Sequence, residues 1–232
     1  MKNNFTQKIL KEKEFDSFSA EFLYKTLKIL SENKKKISIA LSGGSTPLPI
    51  LRILKKYNLN WEYFNFFMVD ERNVSISNSS SNYGNIEKVF FRDVNSFSYS
   101  MINSNYSIEK CAINYEKLLF SKIPLGENKL PIIDLIVLGI GDDGHTASLF
   151  PDTKGLSEIK KVVIKNHIPQ LNTDRITLTY PIILNASKII ILAKGAAKDK
   201  ILKQIKIGKG DHFPITKIIN SKVDITCVLG IN

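Results

Sequence analysis

Two aspartates and a histidine sit among glycines in the segment Gly141-Asp142-Asp143-Gly144-His145, directly after the apolar run of residues 132–138. A neutral imidazole can take a proton from water, and a carboxylate two residues back can hold the other ring nitrogen and stabilise the cation once it forms. Asp143 and His145 therefore read as an orienting acid and a general base, and Asp142 as a residue facing solvent. The glycines permit a sharp loop. Thr146 reads as the start of a short helix, whose positive end disfavours imidazolium. His167 and His212 lack such surroundings and read as structural or surface residues.

A base needs a reactant, and three other segments supply candidates to hold one. In Ser42-Gly43-Gly44-Ser45-Thr46, two glycines let backbone amides approach an anion, and hydroxyls stand near the positive end of a helix beginning at Pro47. No lysine follows the second glycine as in a Walker loop, and taken alone the segment reads equally as a plain tight turn. Only four arginines occur, Arg52, Arg72, Arg92 and Arg175. Arg72, in Asp70-Glu71-Arg72, and Arg175 adjoin strand segments, where a guanidinium could grip a carboxylate or phosphate through two bonds. A surface pair with a neighbouring acid is the equal alternative for Arg72. Lys194 and Lys198 flank a second turn at Gly195. Each lysine alone reads as a solvated charge, but together with turn 42–46 they outline an anion pocket.

The elements that must bring these segments together follow from periodicity. Phe15, Phe18, Phe22, Leu23, Leu27 and Leu30 recur at helical spacing and predict a helix running to about Lys34. The period then shortens. Residues 36–41 read as a buried strand, 42–46 as a loop, and Pro47 opens a helix whose first turn tolerates proline. Residues 64–69, 132–138, 161–165, 176–179, 188–193 and 223–229 read as further strands, and 82–91, 108–122 and 195–205 as helices. This alternation, with several strands apolar on both faces, predicts an α/β fold: an open, mostly parallel sheet with helices on both faces, a Rossmann-like three-layer arrangement. Ligands in such sheets bind at the carboxyl ends of strands. The serine-rich segment 73–82 reads either as a flap beside the site or as a plain surface loop.

With 232 residues, 43% of them hydrophobic, residues 1–232 suit one domain with a sizeable core. The N-terminal segment is broken by charges, and no apolar run approaches the ~20 residues of a membrane span, so the expectation is a soluble, cytoplasmic protein without a membrane partner. The net charge of +11 invites a nucleic-acid reading. The excess is mostly lysine spread along the whole chain, however, and reads as a solvated surface rather than a binding stripe, with a mild attraction for anionic metabolites. Cys111 and Cys227 lack ligand or disulfide spacing and read as core residues.

The set "SGGSTP", "VDERNV" followed by "SNYGN", "GIGDDGHTASLFP", "RITLTYP" and "KGAAKDKIL" resembles, in order and spacing, the 6-phosphogluconolactonases over residues 39–202. The histidine segment is its most specific part. The resemblance implies hydrolysis of 6-phospho-D-glucono-1,5-lactone in the oxidative pentose phosphate pathway, with no metal or cofactor, no nucleic acid, and a monomer or weak homodimer. It implies that Ser42, Gly43, Gly44, Ser45, Thr46, Arg175 and Lys198 hold the 6-phosphate, with Asp70 also at the substrate. His145 would activate water, Asp143 would orient it, and Arg72 would steady the lactone or its oxyanion. Related glucosamine-6-phosphate deaminases share the turn and an Asp-Gly-His loop. They continue with Asn-Glu-Pro, carry Asp-Glu-Tyr where this chain has Asp-Glu-Arg, and would use Asp70 as base. A non-catalytic sugar-phosphate sensor would carry a helix-turn-helix ahead of the domain, whereas one helix is expected here before the first strand. The C-terminal "VDITCVLGIN" departs from the family's tryptophan-containing strand, which leaves the packing of the last strand open.

Overall fold

The computed structural model describes residues 4–232. The chain begins with β1 (Phe5–Lys11), α1 (Glu12–Asn33), β2 (Ile37–Leu41), α2 (Pro47–Leu54), β3 (Phe64–Met68), β4 (Asp70–Arg72), α3 (Asn82–Val89), β5 (Phe97–Ser98) and α4 (Ile108–Lys122). It continues with β6 (Leu135–Gly139), β7 (Val163–Ile168), β8 (Thr173–Leu178), α5 (Tyr180–Ile183), β9 (Lys188–Lys194), α6 (Ala196–Lys206), α7 (Pro214–Ile219) and β10 (Asp224–Ile231).

Seven strands form the main sheet in the order β1-β10-β9-β6-β2-β3-β5, and every pairing in it is parallel. From β2 the chain steps outward through β3 to β5, then returns through β6, β9 and β10 toward the opposite edge. Parallel crossovers are right-handed, so reversing the direction of travel moves the connecting helices to the other face of the sheet. Helices therefore cover both faces, as the alternating pattern predicts. The reversal falls between β2 and β6, where the two loops that leave the sheet diverge and open a crevice.

The packing follows from local sequence. Phe15, Ser19, Leu23 and Leu27 bury one side of α1 at every fourth residue, and β2 is buried along its whole length. The bases of β2 and β6 are tied by the buried Asp134. Its carboxylate accepts from the Ser38 N–H and hydroxyl, both at 2.9 Å, and pairs with Lys34. Cys111 and Cys227 are buried and free, and burial pushes the Cys227 thiol up to about 12.

Three sequence expectations change. A strand, β1, precedes the first helix and pairs with β10 along the sheet edge. Its polar residues, Thr6, Gln7, Lys8 and Lys11, break the apolar signal, yet an edge strand keeps one side in water and tolerates them. Asp70-Glu71-Arg72 is itself a short strand, β4, which joins β8 and β7 in a separate antiparallel sheet. The helix expected over 82–91 ends at Val89, followed by a short 3₁₀ turn, Phe91–Asp93. The divergent C-terminus is packed as β10 between β1 and β9. No helix among the described residues is long and apolar enough to cross a membrane.

Candidate active site

Loop 42–46 leaves β2 and loop 140–145 leaves β6, so the two lie side by side at the reversal point, where Ser42 N–H donates to the Val137 carbonyl at 3.0 Å. Between them opens a cleft of about 230 Å³. In the first loop Gly44 adopts a left-handed φ of 98°, which glycine reaches without strain. Gly43 is needed for a different reason: a Cβ placed there would stand 2.0 Å from Asn82 Oδ1. Asn82 cannot yield easily, because its amide donates to the Asp70 carbonyl at 3.0 Å. Gly43→Ala is therefore expected to destabilise the fold by about 1–3 kcal/mol, the usual cost of overpacking. Denaturant unfolding checks this, and an unchanged midpoint would contradict the close approach.

The histidine loop is closed on itself. Gly141 N–H donates to the His145 carbonyl at 2.8 Å. Asp143 Oδ1 accepts from the His145 N–H at 3.0 Å and meets the ring Nδ1 at 2.5 Å. Partial burial works to raise the Asp143 carboxyl, but these two contacts outweigh it and hold the group below its ordinary value. An ionised carboxylate at Nδ1 selects the tautomer whose proton sits there, which leaves Nε2 as the proton-accepting nitrogen. Nε2 has no hydrogen-bond partner among the described residues, and His145 lines the cleft.

The helix expected from Thr146 does not form. Thr146 and Leu149 make an antiparallel bridge instead, with Ala147 at φ 53°, and the Thr146 hydroxyl donates back to the Gly139 carbonyl at 2.8 Å. The tight turn consumes the residues a helix would need, so no helix dipole acts on His145. Its orientation comes from Asp143 and from stacking on Phe150.

The small sheet contributes the opposite wall. Arg72 and Arg175 are direct partners across the antiparallel β4–β8 pair, an arrangement of like charges that is unfavourable by itself. Burial lowers the Arg175 pKa; Asp70 opposes that effect and Arg72 adds to it. The surface-pair reading of Arg72 is overturned, since its carboxylate neighbours are turned to other work. Glu71 is buried and accepts from the backbone N–H groups of Arg72, Asn82 and Tyr83 and from the Ser81 hydroxyl. Burial raises its pKa, opposed by the three backbone bonds. Arg72 instead donates from Nη1 to the Ser80 carbonyl at 2.5 Å, which pins the end of segment 73–82. Asp70 is also buried, accepting from Ser148 Oγ at 2.6 Å and from Asn82 Nδ2 at 3.3 Å.

Ser42, Gly43, Gly44, Ser45, Thr46, Asp70, Arg72, His145, Arg175 and Lys198 all line this one cleft, and Asp143 stands behind His145. Lys194 also reaches the cleft, with Asp16 Oδ1 at 3.5 Å from its ammonium. Asp142 is exposed, as expected, but forms an ion pair with Lys198. His167 also has an aspartate, Asp174 at 2.9 Å; the cross-strand register of β7 and β8 brings them together, away from the cleft. Sequence reasoning missed Asn82, visible only as part of "SNYGN", and missed Ser148 and Phe150, which carry no signal beyond an ordinary polar or apolar residue.

Six buried side-chain polar atoms lack a hydrogen-bond partner among the described residues, and four of them, Ser42 Oγ, Arg72 Nε, Asn82 Oδ1 and Arg175 Nε, belong to this cleft. Each unsatisfied group costs about 1–3 kcal/mol, a cost that a bound ligand removes. Three of the four can donate, the Ser42 hydroxyl and the two arginine Nε groups, and together with four cationic side chains they suit an anionic ligand.

The fold and cleft together define an α/β protein with a cationic cleft at the reversal point of a parallel sheet, beside an imidazole backed by a carboxylate. Residues 11–227 match the family described as glucosamine-6-phosphate isomerases/6-phosphogluconolactonase. The chain is 34% identical over 186 residues to a 6-phosphogluconolactonase of Chlamydia pneumoniae, covering 78% of this chain and 70% of that one. It is 32% identical over 205 residues to that of Haemophilus influenzae, covering 86% and 84%. The crystal structure of 6-phosphogluconolactonase from Thermotoga maritima superposes with a TM-score of 0.83 at 26% identity, covering 98% of this chain and all of that one. The chain belongs to the 6-phosphogluconolactonase family.

Proposed function

We propose that this protein hydrolyses 6-phospho-D-glucono-1,5-lactone to 6-phosphogluconate, a step of the oxidative pentose phosphate pathway, with His145 as general base. The observation that carries the reading is the shared cleft: His145, whose Nε2 has no protein partner among the described residues, lines the same space as the cationic cradle and its unpartnered donors. The 6-phosphate occupies the cradle of turn 42–46, Arg175 and Lys198, and Lys198 exchanges its exposed partner Asp142 for the phosphate. The lactone carbonyl then lies toward His145.

In the reaction His145 Nε2 removes a proton from water as the oxygen attacks C1. Asp143 holds Nδ1–H and balances the imidazolium that forms. Arg72 steadies the lactone carbonyl or the oxyanion that develops on it. Collapse of the tetrahedral intermediate breaks the C1–ring oxygen bond, and the imidazolium returns its proton to the departing oxygen. The six-membered lactone is an activated ester, so a single positioned base, worth ~10²–10⁴-fold, is adequate and no covalent nucleophile is required. The alternative of sugar-phosphate deamination needs a free carboxylate base at Asp70, whose two oxygens are committed to Ser148 and Asn82.

One assay set tests the reading. The expected result is rapid hydrolysis of the phosphorylated lactone, much slower hydrolysis of its unphosphorylated analogue, and no ammonia from glucosamine 6-phosphate. Ammonia release without lactone hydrolysis would reverse the assignment.

A further inference from the structure

Phe150 is 5% exposed and does not line the cleft, yet two residues that do line it rest on its ring. The His145 imidazole stacks on it, with centroids 3.8 Å apart and planes 18° apart. The guanidinium carbon of Arg175 lies over the same ring, 5.2 Å from its centroid. His145 arrives on the loop after β6 and Arg175 on β8 of the other sheet, so no local geometry sets their separation. Their remaining side-chain restraints are few: His145 meets Asp143, and Arg175 makes a long 3.5 Å contact to Ser148 Oγ.

Phe150 itself is firmly held. Its carbonyl accepts from the Thr153 hydroxyl at 2.8 Å and from the Thr153 N–H at 3.3 Å. Asn166 in turn donates to Thr153 Oγ1 at 3.0 Å and to the Ser148 carbonyl at 2.9 Å. The Thr146–Leu149 bridge turns the chain so that Phe150 packs back against His145.

We propose that Phe150 is a positioning residue whose ring fixes the separation between the His145 imidazole and the Arg175 guanidinium, and thereby the span from reacting carbonyl to phosphate that the cleft accepts. The inference rests on the reading of His145 as base and Arg175 as a phosphate ligand. An aromatic face attracts a guanidinium and orients a stacked imidazole. An aliphatic side chain fills the space without doing either. Both groups then turn more freely, and a phosphorylated substrate anchored at Arg175 no longer presents its carbonyl to His145 in register. An unphosphorylated lactone, which has no such anchor, is less sensitive to that register.

The test measures kcat and KM of Phe150→Leu, Phe150→Met and Phe150→Tyr on 6-phosphogluconolactone and on unphosphorylated gluconolactone. Misplacement by about 1 Å costs ~10²-fold in well-positioned reactions, so the Leu and Met variants are expected to lose at least about tenfold of their preference for the phosphorylated lactone. The Tyr variant, which keeps the ring, retains that preference. Equal losses on the two lactones in a folded Leu or Met variant overturn the proposal, and Met carries the test should Leu fail to fold. Nuclear magnetic resonance gives a readout independent of turnover: relaxation of the His145 ring shows faster side-chain motion in the Leu and Met variants and native motion in the Tyr variant. Native motion in all three also overturns the proposal. The two readings fail separately, because His145→Gln with full activity refutes the base, while ring motion is read in the Phe150 variants, which keep His145.

Discussion

Replacing His145 with alanine is expected to lower kcat for the phosphorylated lactone by ~10²–10⁴-fold, the usual contribution of a positioned general base. Affinity for 6-phosphogluconate is expected to change little, because in the proposed mechanism the imidazole serves the attacking water and the phosphate is held elsewhere in the cleft. The size of the loss follows from how completely the ring is arranged for one task. Asp143 occupies Nδ1, the loop closes on the His145 carbonyl through Gly141, and the face of the ring lies on Phe150, so Nε2 alone remains for chemistry. Asp143 is held below its ordinary value by its bonds to His145, against the opposing effect of burial. A depressed carboxyl stays ionised as pH falls through the mildly acidic range, so loss of activity there does not originate in protonation of Asp143. Steady-state kinetics, corrected for the spontaneous opening of the lactone, check the prediction. A His145→Ala enzyme within about tenfold of native turnover excludes the base role.

Removing the Arg175 guanidinium acts on binding instead. Arg175→Ala is expected to raise KM about 10–100-fold with a smaller change in kcat, since charge-assisted bonds contribute about 1.5–3 kcal/mol each and phosphate contacts persist from ground state to transition state. Arg175→Lys recovers little of the loss, because a point charge does not reproduce the planar fork. The register that places Arg175 opposite Arg72 has a second consequence: a phosphate held by Arg175 offsets the repulsion between the two guanidinium groups and can satisfy the unpartnered Arg175 Nε. Inorganic phosphate should therefore raise the melting temperature of the native protein, and do so much less for Arg175→Ala. A KM within about twofold of native, together with an undiminished phosphate shift, removes Arg175 from the anion site.

Much of the architecture was legible in linear order, for reasons that lie in local periodicity. The helix 108–122 matches α4 residue for residue, and the apolar runs at 36–41, 64–69 and 188–193 are strands of the main sheet. The edge strand β1 escaped because polar residues, Thr6, Gln7 and Lys8, interrupt the run. The short strand β4 escaped because its character depends on a partner, β8, more than a hundred positions away.

The sequence by itself determined the alternation of strands and helices, the parallel sheet, and the chemical types of the cleft: an imidazole near a carboxylate, a glycine turn, and scarce arginines beside strands. Tertiary structure alone decided that Arg72 faces Arg175, that Glu71 turns inward onto backbone amides, that Asn82 closes on Gly43, and that one phenyl ring carries both His145 and Arg175. The reason is physical. Periodicity and turn chemistry act between residues a few positions apart, whereas a cross-strand register or an aromatic contact depends on where distant segments come to rest when the core packs.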